Sequence, residues 1–127
     1  MSNKKVLVVD DEEVIRDVLK KICVFLDYES LEADNGEQAW ELWKAHLPEL
    51  TISDIYMPKL NGIQLLRQIR RENSSAKVLL ITGYSHYRQL VEDSKSKPSD
   101  YLEKPFEIQE MAGKIKILME SVPIAEE

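Results

Sequence analysis

A chain of 127 residues has the size of one domain and is long enough to bury a core. Its 17 Lys and Arg against 23 Asp and Glu leave a net charge of −6, which argues against gripping the phosphate backbone of nucleic acid. The single cysteine, Cys23, excludes an internal disulfide and a cysteine-rich zinc site, and no apolar run nears the roughly 18 residues of a membrane span.

Met1 to Lys5 leads straight into Val6-Leu7-Val8-Val9, a run too short for a signal-peptide core and without a small-residue cleavage site. A cytoplasmic protein is the expectation. Val6 to Val9 is continuously aliphatic and predicts a strand buried on both faces. It ends in Asp10-Asp11-Glu12. A helix follows, with Val14, Ile15, Val18, Leu19, Ile22, Phe25 and Leu26 at helical spacing and Cys23 as a small core residue among them. Tyr28 to Ala33 reads as the second strand. Asp34-Asn35-Gly36 is a turn and helix cap, opening a helix to about Ala45 that buries Ala39, Trp40 and Trp43.

Leu50 to Ser53, with β-branched Thr51 and Ile52, is a short buried third strand. Pro58 lacks a backbone N–H and Lys59-Leu60-Asn61-Gly62 follow, so the strand stops near Asp54. Gly62 to Glu72 predicts a helix with Ile63, Leu66 and Ile69 on one face. After the polar turn Asn73-Ser74-Ser75, Lys77 to Thr82 is another apolar strand, and Gly83 to Ser85 a loop. A fourth helix from about His86 carries only Tyr87, Leu90 and Val91 as anchors. The segment Asp93 to Ser99 is polar and holds Pro98, so that helix should be short and mobile and end before Lys97. Asp100 to Glu103 is a fifth strand, closed by Lys104-Pro105. Ile108, Met111, Ala112, Ile115, Leu118 and Met119 define the last helix. One domain over 1–122 is expected, with 123–127 as a frayed tail after Pro123 begins it.

Alternating strands and helices with short connections demand an α/β fold, a parallel sheet covered by helices on both faces. Ligands of such sheets bind beyond the carboxyl ends of the strands. Asp10 and Asp11 follow the first strand, Asp54 the third, Thr82 the fourth and Lys104 the fifth. Clustered carboxylates repel, and a hard divalent cation, Mg²⁺ rather than Zn²⁺, suits an all-oxygen set. A lysine and a hydroxyl beside it suit a tetrahedral anion, since both donate to phosphoryl oxygens. Each residue also has a plain reading: the doubled acid as a helix cap, Asp54 as a solvated strand end, Thr82 as a turn hydroxyl, Lys104 as a surface lysine. Four such coincidences at four strand ends favour a site.

The order and spacing of four pieces resemble the receiver domain of two-component response regulators. They are Val8-Val9-Asp10-Asp11-Glu12, Ser53-Asp54-Ile55-Tyr56-Met57-Pro58 with Asn61-Gly62, Leu80-Ile81-Thr82-Gly83, and Asp100-Tyr101-Leu102-Glu103-Lys104-Pro105-Phe106. The resemblance runs from about Lys5 to Met119. It implies a doubly wound, flavodoxin-like five-stranded parallel sheet in the order 2-1-3-4-5. It implies Asp54 as phosphoacceptor for a histidine kinase or phosphotransfer protein. Mg²⁺ would be held directly by Asp11, Asp54 and the Tyr56 carbonyl, and through water by Asp10. Thr82 and Lys104 would bind the phosphoryl group, Tyr101 would be the rotameric switch, and Tyr56 and Tyr84 would tune hydrolysis. The Lys104–Pro105 bond would be cis. Such a protein catalyses only its own phosphotransfer and dephosphorylation, acts on an output partner without touching nucleic acid or membrane itself, and can dimerise on phosphorylation. One departure is the polar Asp93–Ser99 segment, where the family usually places small residues.

Three other readings compete with this one. A haloacid-dehalogenase-type phosphotransferase also uses a strand-end Asp, but needs a second Asp two residues on, where Tyr56 stands. A phosphorylation-independent interaction module would have no use for the acidic cluster, Thr82 and Lys104. A dinucleotide site is excluded by the lack of a glycine-rich turn after the first strand.

Overall fold

The structure, a computed structural model, describes residues 4–57, 59–83 and 97–121. Five strands form one parallel sheet: β1 (Lys5–Val9), β2 (Glu29–Ala33), β3 (Leu50–Asp54), β4 (Lys77–Thr82) and β5 (Asp100–Glu103). Their order is β2-β1-β3-β4-β5, the expected one. The described helices are α1 (Glu13–Phe25), α2 (Gly36–His46), α3 (Gly62–Glu72) and a C-terminal helix (Ile108–Glu120). Pro58, the fourth predicted helix with Tyr87, Leu90 and Val91, Tyr84, and the tail from Pro123 lie outside the described residues.

The period-two alternation of strand side chains splits the core into two layers. Val6, Val8, Leu50, Ile52, Leu79 and Ile81 pack with Leu19, Ile22 and Cys23 of α1 and Met111, Ile115 and Met119 of the C-terminal helix. Leu7, Val9, Val78 and Leu80 pack with Ala39 and Trp43 of α2 and Leu65, Leu66 and Ile69 of α3. Burial among these side chains pushes the Cys23 thiol up to about 11, so it stays protonated and apolar in behaviour.

Four burial assignments need correction. Val14 and Phe25 are exposed, because the core-facing stripe of α1 narrows to Leu19, Ile22 and Cys23. In α3 the inward face is Gly62, Leu65, Leu66 and Ile69, with Ile63 only at its margin. Trp40 is half-buried rather than buried: its ring stacks on Trp43 at 5.7 Å, and the Lys44 ammonium lies over the Trp40 ring at 5.3 Å. Ile108, expected on the core face of the last helix, is also exposed. Among the described residues no helix is long and apolar enough to cross a membrane.

Candidate functional site

The sheet register decides what meets at its carboxyl edge. β1 pairs with β3 through Val9 and Ser53, so the next residues, Asp10 and Asp54, stand side by side. On the other flank of β3, Asp54 pairs with Ile81, and Thr82 follows at the end of β4. Thr82 in turn pairs with Glu103, and Lys104 comes one step later. A 2.7 Å hydrogen bond donated by the Lys104 amide to the Thr82 carbonyl fixes that step.

The lysine reaches back across the edge. Its Nζ lies 2.9 Å from Asp10 Oδ2, 3.1 Å from Asp54 Oδ2 and 3.2 Å from Glu12 Oε2. Asp10, Asp54 and Thr82 are buried, whereas Asp11 and Glu12 face solvent. The doubled acid does not cap α1, whose N-cap residue is Glu12 and makes no side-chain cap bond. Asp10 Oδ1 instead accepts from the Glu12 amide at 2.9 Å and closes the turn.

Burial raises the pKa of Asp10 above the ordinary carboxylate value. The Glu12 amide and Lys104 oppose that rise, and the charge of Asp54 adds to it. Asp54 is likewise raised by burial, with Lys104 and then the amides of Tyr56 and Ile55 pulling the other way. Burial alone would lower Lys104, but its contacts with Asp10 and Asp54 outweigh that and raise it. Two carboxylates thus share one cation in a poorly solvated place.

Carboxylate oxygens of Asp10, Asp11, Glu12 and Asp54 fall within 4.8 Å of one another. Asp54 Oδ1 is buried without a hydrogen bond of full geometry, although the Tyr56 and Ile55 amides face its carboxylate. This donor set is all oxygen and short of positive charge, and it fits a small hard cation such as Mg²⁺.

The surroundings hold these groups still. Gly62 opens α3 so close to β3 that its amide donates to the Ile55 carbonyl at 2.8 Å, and a Cβ there would lie 2.3 Å from the Asp54 carbonyl oxygen. Asn61 and Gln64 complete a reciprocal capping box at the same helix end. Tyr56 is part-exposed beside the site, and Tyr101 is half-buried against the α2–α3 layer. The Lys104–Pro105 bond is cis. Tyr84 lies outside the described residues. The sequence reading gave no role to two residues at this place, Glu12 and Arg16. Glu12 pairs with a lysine 92 residues away, which no local pattern shows. Arg16 reaches from α1 to the Asp10 carbonyl and to Glu32 of β2, contacts that no residue-type pattern marks.

Residues 6–116 match the family model described as the response regulator receiver domain. The chain belongs to that family. Among solved structures, the receiver domain is similar to the response regulator TrrA from Thermotoga maritima, crystallised in complex with Mg²⁺-BeF, at 38% identity and TM-score 0.82, covering 91% of this chain and 98% of that one. A CheY-like receiver domain from Methanospirillum hungatei matches at 27% identity and TM-score 0.85, over 93% and 94% of the two chains. The PhoP regulator of alkaline phosphatase synthesis in Bacillus subtilis is 32% identical over 123 residues, 97% of this chain and 51% of PhoP. The receiver domain therefore spans about half the length of the curated relatives it matches. It is a receiver module of two-component signalling.

Proposed function

We propose that Asp54 is the phosphoacceptor, charged from a phosphohistidine donor. The observation that carries this reading is a buried strand-end carboxylate with Lys104 Nζ at 3.1 Å, inside a cluster of three further acids. The ammonium opposes the rise that burial imposes on Asp54 and so favours the ionised carboxylate, whose lone pair is the nucleophile. An Asp54 oxygen bonds to phosphorus, the P–N bond breaks, and its electron pair returns to the donor imidazole. The Lys104 ammonium and Thr82 hydroxyl donate to the phosphoryl oxygens. Asp11, Asp54 and the Tyr56 carbonyl would hold Mg²⁺ directly and Asp10 through water; when bound, the cation supplies charge neutralisation for the transferring group.

The product adds nearly two negative charges at the sheet edge. Lys104 gains a stronger partner than Asp10 or Glu12, Thr82 turns to the new oxygens, and the space behind it admits the Tyr101 ring. That biases the surface presented to an output partner and offers a route to a phosphorylation-dependent dimer. Tyr56, and Tyr84 in the sequence after Thr82, tune hydrolysis by shielding phosphorus from water. Apart from these reactions on itself the domain is not an enzyme, and we assign it to the cytoplasm.

The donor, a histidine kinase or phosphotransfer protein, needs a resting surface next to the site. Glu12 and Lys104 also border a groove of about 350 Å³ floored by Ile15, Val18, Phe106 and Ile108. This apolar surface supports docking of the donor there. The net charge of −6 supports leaving nucleic acid to other parts of any longer protein. The test is incubation with Mg²⁺ and acetyl phosphate, read by intact mass. Wild type should gain one phosphoryl group and Asp54→Asn none; a gain that survives in Asp54→Asn overturns the assignment.

A further inference from the structure

The Asp10–Asp11 peptide is held by more than the sheet. The Asp10 amide donates to the Ala33 carbonyl at the end of β2, at 3.2 Å. The Asp10 carbonyl accepts from Arg16 Nη1 at 2.8 Å. The same guanidinium donates through Nε to Glu32 Oε1 at 2.9 Å, and Lys20 Nζ contacts the other Glu32 oxygen at 2.6 Å. The Arg16 side chain is only 15% exposed, so this fork sits under cover rather than waving in solvent. Both ends of the Asp10 residue are thereby referred to β2.

The Asp10 carbonyl belongs to the peptide plane that carries Asp11. Because that plane is rigid, fixing the carbonyl direction fixes where the Asp11 nitrogen and Cα sit, and leaves only the φ and side-chain torsions of Asp11 to aim its carboxylate. Among the described residues no side-chain hydrogen bond holds the Asp11 carboxylate itself. Its orientation is inherited from the backbone. A planar fork can grip a carbonyl and a carboxylate at once; a lysine ammonium, being a point charge, does not hold that geometry.

We infer that Arg16, braced by Glu32, is a positioning residue that aims Asp11 into the acidic cluster and so sets its affinity for a divalent cation. This rests on the assignment of Asp11 as a cation ligand. It makes a prediction opposite to simple electrostatics. Removing a positive charge near an acidic site should tighten cation binding by Coulomb attraction. Removing an aiming device should weaken it, in the range of about 10-fold seen when groups behind a ligand are lost.

The experiment is Mg²⁺ titration by calorimetry on wild type, Arg16→Met, Arg16→Lys, Glu32→Gln and the Arg16→Met/Glu32→Gln pair, at a temperature where circular dichroism shows each folded. Backbone amide exchange at Asp11 and Glu12 in the metal-free protein is the second readout. Arg16→Met should weaken Mg²⁺ about 10-fold, Glu32→Gln about 3-fold, and the pair no more than Arg16→Met alone, since both act through one contact. Arg16→Lys should recover less than half of the loss, and exchange at Asp11 and Glu12 should quicken in step. Should Arg16→Met fail to fold, Glu32→Gln and Arg16→Lys carry the same comparison. Unchanged or tighter Mg²⁺ binding in folded variants overturns the inference and leaves Arg16 a structural residue. A wild type that takes up no Mg²⁺ overturns the ligand assignment itself, and the inference with it.

Discussion

Gly62→Ala puts a methyl group where the structure has no room. The new Cβ would lie 2.3 Å from the Asp54 carbonyl oxygen and 2.9 Å from the Ile55 Cα, both backbone atoms that cannot rotate aside. Interiors are close-packed, so roughly 1 Å must open between α3 and β3 to reach ordinary contact. Overpacking of this kind costs about 1–3 kcal/mol. Stretching the Gly62–Ile55 hydrogen bond adds about 1 kcal/mol. Against this, alanine restricts the unfolded chain and returns about 0.4–1 kcal/mol. The expected net is about 2–3 kcal/mol of destabilisation, read as a fall of about 1–2 M in the urea midpoint at unchanged slope. Gly113→Ala is the matched control, with nothing within 4 Å of its Cβ and an exposed helical position, and should raise stability by up to about 1 kcal/mol. A Gly62→Ala midpoint at or above wild type would refute the reasoning, and a Gly113→Ala loss would show that the control is misread.

Burial holds Asp54 above its ordinary value of 3.8, so its ionisation is neutral to folding below that value and turns unfavourable as pH rises through the raised folded one. In EDTA at pH 7, Asp54→Asn should therefore melt above wild type, by on the order of 1 kcal/mol, with the gap closing towards pH 4; a gap that widens on acidification sinks the argument. Lys104→Met removes the cation that competes for the carboxylates, and should tighten Mg²⁺ by about tenfold in calorimetry while slowing phosphotransfer; weaker binding would contradict it. Arg70 donates to the Ala76 and Lys97 carbonyls at 2.8 Å and to Ser99 Oγ at 3.3 Å, tying the approach to β5 onto α3. Arg70→Ala should cost about 2–3 kcal/mol in urea unfolding, with Arg70→Lys recovering under half of it. Ile108→Asp, at an exposed position of the groove, should slow phosphotransfer from the partner kinase at least about tenfold while leaving acetyl phosphate labelling intact; an equal loss in both would place its effect in the fold instead.

Much of the architecture was legible because continuous apolar runs such as Val78 to Ile81 admit few alternatives, and the bounds of α3, β4 and β5 coincide with the sequence reading. Asp10, Asp54, Thr82 and Lys104 could be brought together on paper once parallel strands were granted, since each ends one. Helix faces were harder. Spacing marks an apolar stripe but not its width, so Leu65 was passed over on α3, while Val14 and Phe25 on α1 were credited with burial they do not have. Arg16 escaped because its role depends on Glu32 across a turn and on one backbone carbonyl, neither of which leaves a residue-type signature.

The lysine that neutralises the acidic edge arrives on the edge strand of the sheet, and that has a bearing on how the chain folds. Asp10 and Asp54 become neighbours as soon as β1 pairs with β3, across 44 residues of chain from Val6 to Leu50. Their counter-charge arrives only when β5 docks on β4. A partly assembled sheet lacking β5 therefore holds two desolvated carboxylates with no ammonium between them. The acidic edge is a source of local conflict during assembly, and that conflict penalises half-built states relative to the complete one. Chemistry that works against the native fold thus also makes its completion more nearly all-or-none.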